Sequence, residues 1–249
     1  RSMGTVCLPE MRKGNVGLCV ATQIARYTKQ KNPLPGWHSP AQAWAQSQGQ
    51  LSWYNEVERQ GELTQICNLE QLESHLEKWS TGQNKQLPIG YVLSLEGADS
   101  IITLQHLEPA YEKGLRAIGP AHYGPGTYAP GTGESGPLGN GATELLREME
   151  RLNIILDVTH LSDTSLDQAL DTFSGTVWAS HCNCRTLVPG ERQLNDHQLK
   201  RLIERGGVIG AALDAWMLIP DWQRGLTTPQ SSGVKLSHVA NHIDYVCQL

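Results

Sequence analysis

Two short apolar runs in the middle of the chain each end in a histidine: I-I-L-D-V-T-H at His160 and T-V-W-A-S-H at His181. Both runs are rich in β-branched residues and short enough to be strands buried on both faces. Between them Ser162 is placed to cap a helix, and Leu166, Ala169, Leu170 and Phe173 recur at helical spacing until Gly175. The stretch therefore reads as a βαβ unit. Two parallel strands that each deliver a histidine at the carboxyl end put both imidazoles on one rim of a sheet, where α/β folds build their sites. A lone histidine at a strand end is ordinarily a backbone-bonded residue, whereas a matched pair can share a metal ion. Glu96 closes a third run, P-I-G-Y-V-L-S-L-E. A carboxylate at that place is costly to bury unless it is paired or holds a cation, which makes Glu96 a candidate ligand. His122 ends a fourth run, G-L-R-A-I-G-P-A, and the Gly/Pro-rich stretch Y-G-P-G-T-Y-A-P-G-T-G behind it has the character of a loop that shapes a substrate pocket. Cys182 and Cys184 flank Asn183 beside His181, but C-x-C lacks the two further ligands of a closed zinc site and reads as structural or incidental.

These residues need elements to hold them. Six strands are expected, near residues 16, 88, 115, 154, 176 and 207, alternating with helices. Residues 16–24 read as a buried strand after the end of a helix closed by Gly14, and a turn over residues 33–36 leads to Ser39, the N-cap of a helix with Pro40 at its first position. Gln42, Gln46, Gln48 and Gln50 are expected on its wet face. A shorter helix over 68–79 is expected to turn Leu69, Leu72 and Leu76 inward, to carry His75 on its surface and to end before a polar loop. Helices follow over 140–152, over 195–205 with Asn195 or Asp196 as cap, and over 234–247 with Val239, Ile243 and Val246 on one face. The strand over 207–213 leads to Asp214, and residues 221–233 read as a polar loop.

Composition narrows the function classes. The 249 residues, 39% hydrophobic, can bury a large core as one domain, residues 1–249. A formal net charge of −5 with no Lys/Arg block leaves no electrostatic footprint for nucleic acid or an anionic membrane surface. No run approaches the roughly 18 apolar residues of a membrane span. Six scattered cysteines read as free thiols in a reducing cytoplasm.

The series L-x-L-E-G at Glu96, G-P-A-H at His122, R-L-N-I-I-L-D-V-T-H-L-S at His160, W-A-S-H at His181 and Arg192 eleven residues later resembles the renal, or membrane, dipeptidase family. The resemblance implies a (β/α)8 TIM-type barrel of the metal-dependent hydrolase kind and hydrolysis of dipeptides with two zinc ions as cofactors. It implies that Glu96 bridges the metals, that His160 and His181 bind the second one, that His122 meets the substrate carbonyl oxygen and that Arg192 clamps the substrate carboxylate. Elementary chemistry agrees with those roles: a metal lowers the pKa of its water to about 7, and a guanidinium fork matches a carboxylate. A homodimer is allowed for. Two other readings stand beside it, an amidohydrolase acting on another amide or lactam, and a non-catalytic barrel fragment with an incomplete metal site.

The family's first strand carries a His-x-Asp pair, whereas the only such pair here, His242-Ile243-Asp244, lies in the final helix and reads as incidental. The resemblance puts that strand before Arg1 and an aspartate-bearing strand after Leu249. The chain is therefore expected to be the interior of a longer barrel, with its first and last strands outside it and its own activity doubtful.

Overall fold

The computed structural model describes residues 6–28, 36–81 and 87–249. Residues 33–35 of the turn expected over 33–36, and residues 82–86 of the polar loop, lie outside them. The chain parts into two compact units, Arg1–Ile118 and Gly119–Leu249.

The first unit contains α1 (Leu8–Lys13), β1 (Leu18–Gln23), α2 (Pro40–Arg59), β2 (Leu63–Gln65), α3 (Leu69–Ser80), β3 (Ile89–Glu96), α4 (Leu107–Glu112) and β4 (Leu115–Gly119). β1 and β2 both pair parallel with β3, Leu18 opposite Gly90 and Leu63 opposite Ile89, and β4 is a further neighbour of β3. β3 is buried on both faces as its continuous apolar run requires. β1 is not: among the described residues β3 is its one strand neighbour, and Val20 is 43% exposed. Neither β2 nor α4 was expected, because three and six residues are too short to show a period.

Helix α2 begins as its sequence dictates, with Ser39 Oγ accepting the Gln42 amide at 3.1 Å. Its glutamines are not simply a wet face. Gln50 accepts from Ile24 N at 2.8 Å and donates to Ile24 O at 2.7 Å, so the side chain continues the backbone pairing of β1 across to the helix. Helix α3 is rotated from the expected face. Leu69 and Leu76 are 67% and 49% exposed, while His75 and Trp79 are buried. The reason is two glycines: a Cβ at Gly17 would stand 2.5 Å from the Trp79 ring, and one at Gly90 would stand 2.7 Å from His75 Nε2. Bare backbone seats the two rings, and His75 Nε2 lies 2.6 Å from Gly17 O, so the buried imidazole is bonded.

The second unit contains α5 (Ala142–Arg151), β5 (Ile155–Asp157), α6 (Asp163–Thr172), β6 (Val177–Ala179), α7 (Asp196–Glu204), β7 (Val208–Ile209), α8 (Pro229–Ser232) and α9 (Leu236–Cys247). β6 pairs parallel with β5 on one side and with β7 on the other. The βαβ unit is present, with Leu166, Ala169, Leu170 and Phe173 buried. Its helix ends at Phe173, whose backbone turns extended to bury the ring, and Gly175 leaves the space that ring occupies. Asn195 caps α7 in a reciprocal box with Gln198. β7 is only two residues long; Gly210 still bonds Ala179 O and the Cys182 amide, Ala212 N turns to the Asn183 side chain, and the loop over 221–233 contains the single turn α8. In α9 the buried residue is His242, with Ile243 51% exposed. His242 Nδ1 accepts the Cys184 amide at 3.1 Å, a structural use of that histidine. All six cysteines are free, and burial pushes the Cys184 thiol up to about 11, unsuited to a thiolate ligand.

Candidate active site

The ends of β5 and β6 are tied by one carboxylate. Asp157 Oδ1 accepts the Thr159 amide at 3.0 Å and the Ser180 amide at 3.1 Å, so the two residues that precede the histidines are held by the same oxygen. Thr159 and Ser180 hydroxyls lie 3.2 Å apart. Immediately beyond, His160 adopts a left-handed backbone with φ +73°, a conformation costly for a residue with a Cβ and concentrated at functional positions. The side chain is 6% exposed.

The imidazoles of His160 and His181 meet through their Nε2 atoms at 3.3 Å. Each Nδ1 is engaged by a hydroxyl, Thr132 Oγ1 at 2.9 Å from His160 and Ser180 Oγ at 2.8 Å from His181. The partners suggest the tautomer. Arg192 Nη2 lies 3.4 Å from His160 Nε2, and a guanidinium can only donate, so that nitrogen presents its lone pair and Nδ1 carries the hydrogen donated to Thr132. A ring whose outer nitrogen is held by a hydroxyl and whose inner nitrogen faces a second imidazole nitrogen is an arrangement that could hold a metal ion.

His122 follows β4, its ring 4.6 Å from that of His160, with Tyr123 5.1 Å from His160 on the same side. The Gly/Pro stretch behind it is an ordered loop. Thr132 N donates to His122 O at 2.9 Å and Gly124 N to Thr132 O at 2.9 Å, while Tyr128 and Ala129 are buried. A Cβ at Gly131 would stand 1.8 Å from His122 O, so only glycine lets the returning strand of the loop reach this depth. The loop thereby delivers Thr132 to His160.

Arg192 is 5% exposed. It donates to His181 O at 2.9 Å and to Cys182 Sγ at 3.4 Å, which fixes the guanidinium beside the histidine pair. Burial raises the Cys182 thiol, with Arg192 opposing, so Cys182 serves as a neutral neighbour of the cation. Four of the residues singled out from sequence, His122, His160, His181 and Arg192, are thus parts of the second unit's rim. Glu96 is in the first unit, half-buried at the carboxyl end of β3, with Gly97 turning the chain at φ +79° directly behind it. Sequence reasoning passed over Thr132, Asp157 and Ser180. For Ser180 a signal was there, since each strand-end histidine follows a hydroxyl residue, T-H and S-H. Thr132 carries none, because it arrives from a loop 28 residues away from His160.

The model of the family described as membrane dipeptidase, peptidase family M19, matches residues 2–249. The chain belongs to peptidase family M19. Among relatives, Dipeptidase tcpJ of Claviceps purpurea is 28% identical over 164 residues, which is 63% of this chain and 38% of that protein. Dipeptidase 3 of Mus musculus is 26% identical over 183 residues, 70% of this chain and 35% of that one. A protein of Acinetobacter calcoaceticus encoded in the PQQ-III 3' region is 28% identical over 170 residues, 65% of this chain and 53% of its own length, so the M19 chain spans about half or less of these relatives. Among solved structures, the dipeptidase AC, a metallo peptidase of family M19, superposes with a TM-score of 0.83 at 21% identity, covering 99% of this chain and 72% of that one. A metallo peptidase from Rhodobacter sphaeroides, liganded with a phosphinate mimic of the dipeptide L-Ala-D-Ala, gives 0.82 at 20% identity, covering 100% and 74%. These likenesses establish the α/β fold for the M19 chain. No helix among its described residues is long and apolar enough to cross a membrane.

Proposed function

We propose that this M19 protein hydrolyses dipeptides at a zinc centre in which Glu96, His160 and His181 are ligands, with His122 and Arg192 acting on the substrate. The observation that carries the reading is the pair of Nε2 atoms 3.3 Å apart, each on a ring whose Nδ1 is held by a hydroxyl. Borderline-soft zinc suits imidazole and carboxylate donors, and Glu96 would also serve a second ion if two are held, as the family resemblance implies. When bound, such an ion supplies Lewis acidity, bringing a water's pKa to about 7 and polarising the scissile carbonyl.

The chain's own residues do the rest. His122, next to His160, is placed to donate to the carbonyl oxygen as it gains charge, where a fixed donor stabilises the transition state more than the ground state. Arg192 offers a planar fork for the substrate's terminal carboxylate, which selects short peptides whose end lies within reach of the scissile bond. The phosphinate dipeptide mimic held by the Rhodobacter sphaeroides relative has the tetrahedral centre such a site would favour, which supports a dipeptide as substrate. The free thiols fit a reducing compartment, and we place the protein in the cytoplasm.

Metal analysis joined to a dipeptide hydrolysis assay of the full-length protein tests this. Wild type should carry zinc and cleave an unblocked dipeptide, and His160→Ala and His181→Ala should each lose zinc and activity together. Unchanged zinc content in both variants overturns the assignment.

A further inference from the structure

Arg192 sits in an irregular segment with no helix or strand of its own, yet its guanidinium holds three defined contacts. What fixes its direction lies on the next residue. Gln193 is 1% exposed, and its side chain runs away from the histidines into a buried amide cluster. Its Oε1 accepts the Asn183 amide at 3.2 Å and its Nε2 donates to Met217 O at 2.8 Å. Asn183, 2% exposed, completes the cluster: Nδ2 donates to Ala212 O at 3.0 Å and Met217 O at 3.2 Å, while Oδ1 accepts the Ala212 amide at 3.0 Å. The backbones are paired as well, Leu194 N to Asn183 O at 3.0 Å and Arg185 N to Leu194 O at 2.8 Å.

Gln193 N also donates to Gly190 O at 3.1 Å, closing the turn over residues 190–193 that carries Arg192. With Gln193 held in the amide cluster at the end of that turn, the Arg192 backbone is fixed where its guanidinium reaches His181 O and His160. All side-chain polar atoms of both amides are satisfied, and buried groups in that state are expensive to rearrange. The same cluster takes the carbonyl and amide of Ala212 and the carbonyl of Met217, which belong to the segment that follows β7.

We propose that Gln193, together with Asn183, is a positioning residue for the carboxylate clamp, fixing the direction of Arg192 and locking it to the segment after β7. The inference rests on Arg192 being that clamp. Its consequence is kinetic: loosening the cluster weakens recognition of a free terminal carboxylate and leaves the hydrolytic step itself intact.

The test uses the metal-loaded full-length protein, with a free-acid dipeptide and its C-terminally amidated counterpart as substrates. Gln193→Met should raise KM for the free acid at least ten-fold, change kcat less than about two-fold, and leave the kinetics on the amide alone. In an Arg192→Ala background the same change should have no further effect on the ratio of the two substrates. A residue with only a structural role would lower activity on both substrates equally. A crystal structure of Gln193→Met should show the guanidinium displaced from His181 O. If Gln193→Met does not fold, Gln193→Glu, which keeps the acceptor toward Asn183 and loses the donor toward Met217, is held to the same outcomes. A guanidinium still 2.9 Å from His181 O with an unchanged KM for the free acid overturns the proposal. If wild type shows no preference for the free acid, the clamp reading itself fails, and the crystal structure still decides whether Gln193 positions Arg192.

Discussion

Removing the two hydroxyls that hold the histidines tests the metal centre without touching a ligand. Thr132→Val replaces the hydroxyl 2.9 Å from His160 Nδ1 by a methyl group of the same size, and Ser180→Ala removes the one 2.8 Å from His181 Nδ1. Outer partners of this kind are worth about 10- to 100-fold in metal affinity, or about 1.4 to 2.7 kcal/mol. The two sites differ in access to water. His160 is 6% exposed, and water replaces the lost hydroxyl there less readily than at half-buried His181. Thr132→Val should therefore fall near the upper end of that range and Ser180→Ala near the lower. Zinc affinity is read by competition with a chromophoric chelator on metal-stripped protein, with circular dichroism confirming that the fold survives. Equal affinity in wild type and both variants would refute the argument, and a larger loss for Ser180→Ala would refute the part that rests on burial.

Arg192→Ala should cost about 2 to 5 kcal/mol in kcat/KM for a free-acid dipeptide, the scale for truncating a buried charge partner, and should leave a C-amidated dipeptide unaffected; equal losses on both would remove Arg192 from the clamp. Gly131→Ala places a Cβ against His122 O and should destabilise by about 1 to 3 kcal/mol or more in urea denaturation, with activity falling further than stability explains. His75→Leu should destabilise the first unit by about 0.5 to 1.5 kcal/mol by removing one of two partners of Gly17 O, which keeps the Gly90 amide at 2.8 Å, and an unchanged denaturation midpoint would contradict the bond. Arg185 holds the Asp163 carboxyl below its ordinary value. A depressed folded pKa stabilises above the unfolded value near 4 and is lost as pH falls through the folded one, so Asp163→Asn should cost about 1 kcal/mol or less at pH 7, this half-exposed pair being screened, and nothing in acid. A stability gap that persists at low pH would show that the ion pair is not its source.

The sequence by itself determined the βαβ unit, the strand ends and which titratable residues stand at them. Strand burial and helix capping are local, and runs such as I-I-L-D-V and caps such as Ser39, Ser162 and Asn195 express them within a few residues. Glu96, His122, His160 and His181 were legible for the same reason, as residues that close such runs, whereas Arg192 was picked out only by the family resemblance. Which face of a helix is buried was not. Leu69 and Leu76 carry the hydrophobic signal in α3, yet His75 and Trp79 go inside, because the surface they meet is built from Gly17 and Gly90, which lie far away in sequence. In α9 the buried residue is His242 rather than Ile243, since its ring nitrogen answers a backbone amide at Cys184. The support of the site was likewise invisible. Thr132 reaches His160 across a loop that closes only because Gly131 has no side chain, and Gln193 aims Arg192 by bonding backbone groups at Asn183 and Met217. A hydrogen bond between distant residues leaves no period or spacing in a sequence; only the folded chain decides which donor meets which acceptor.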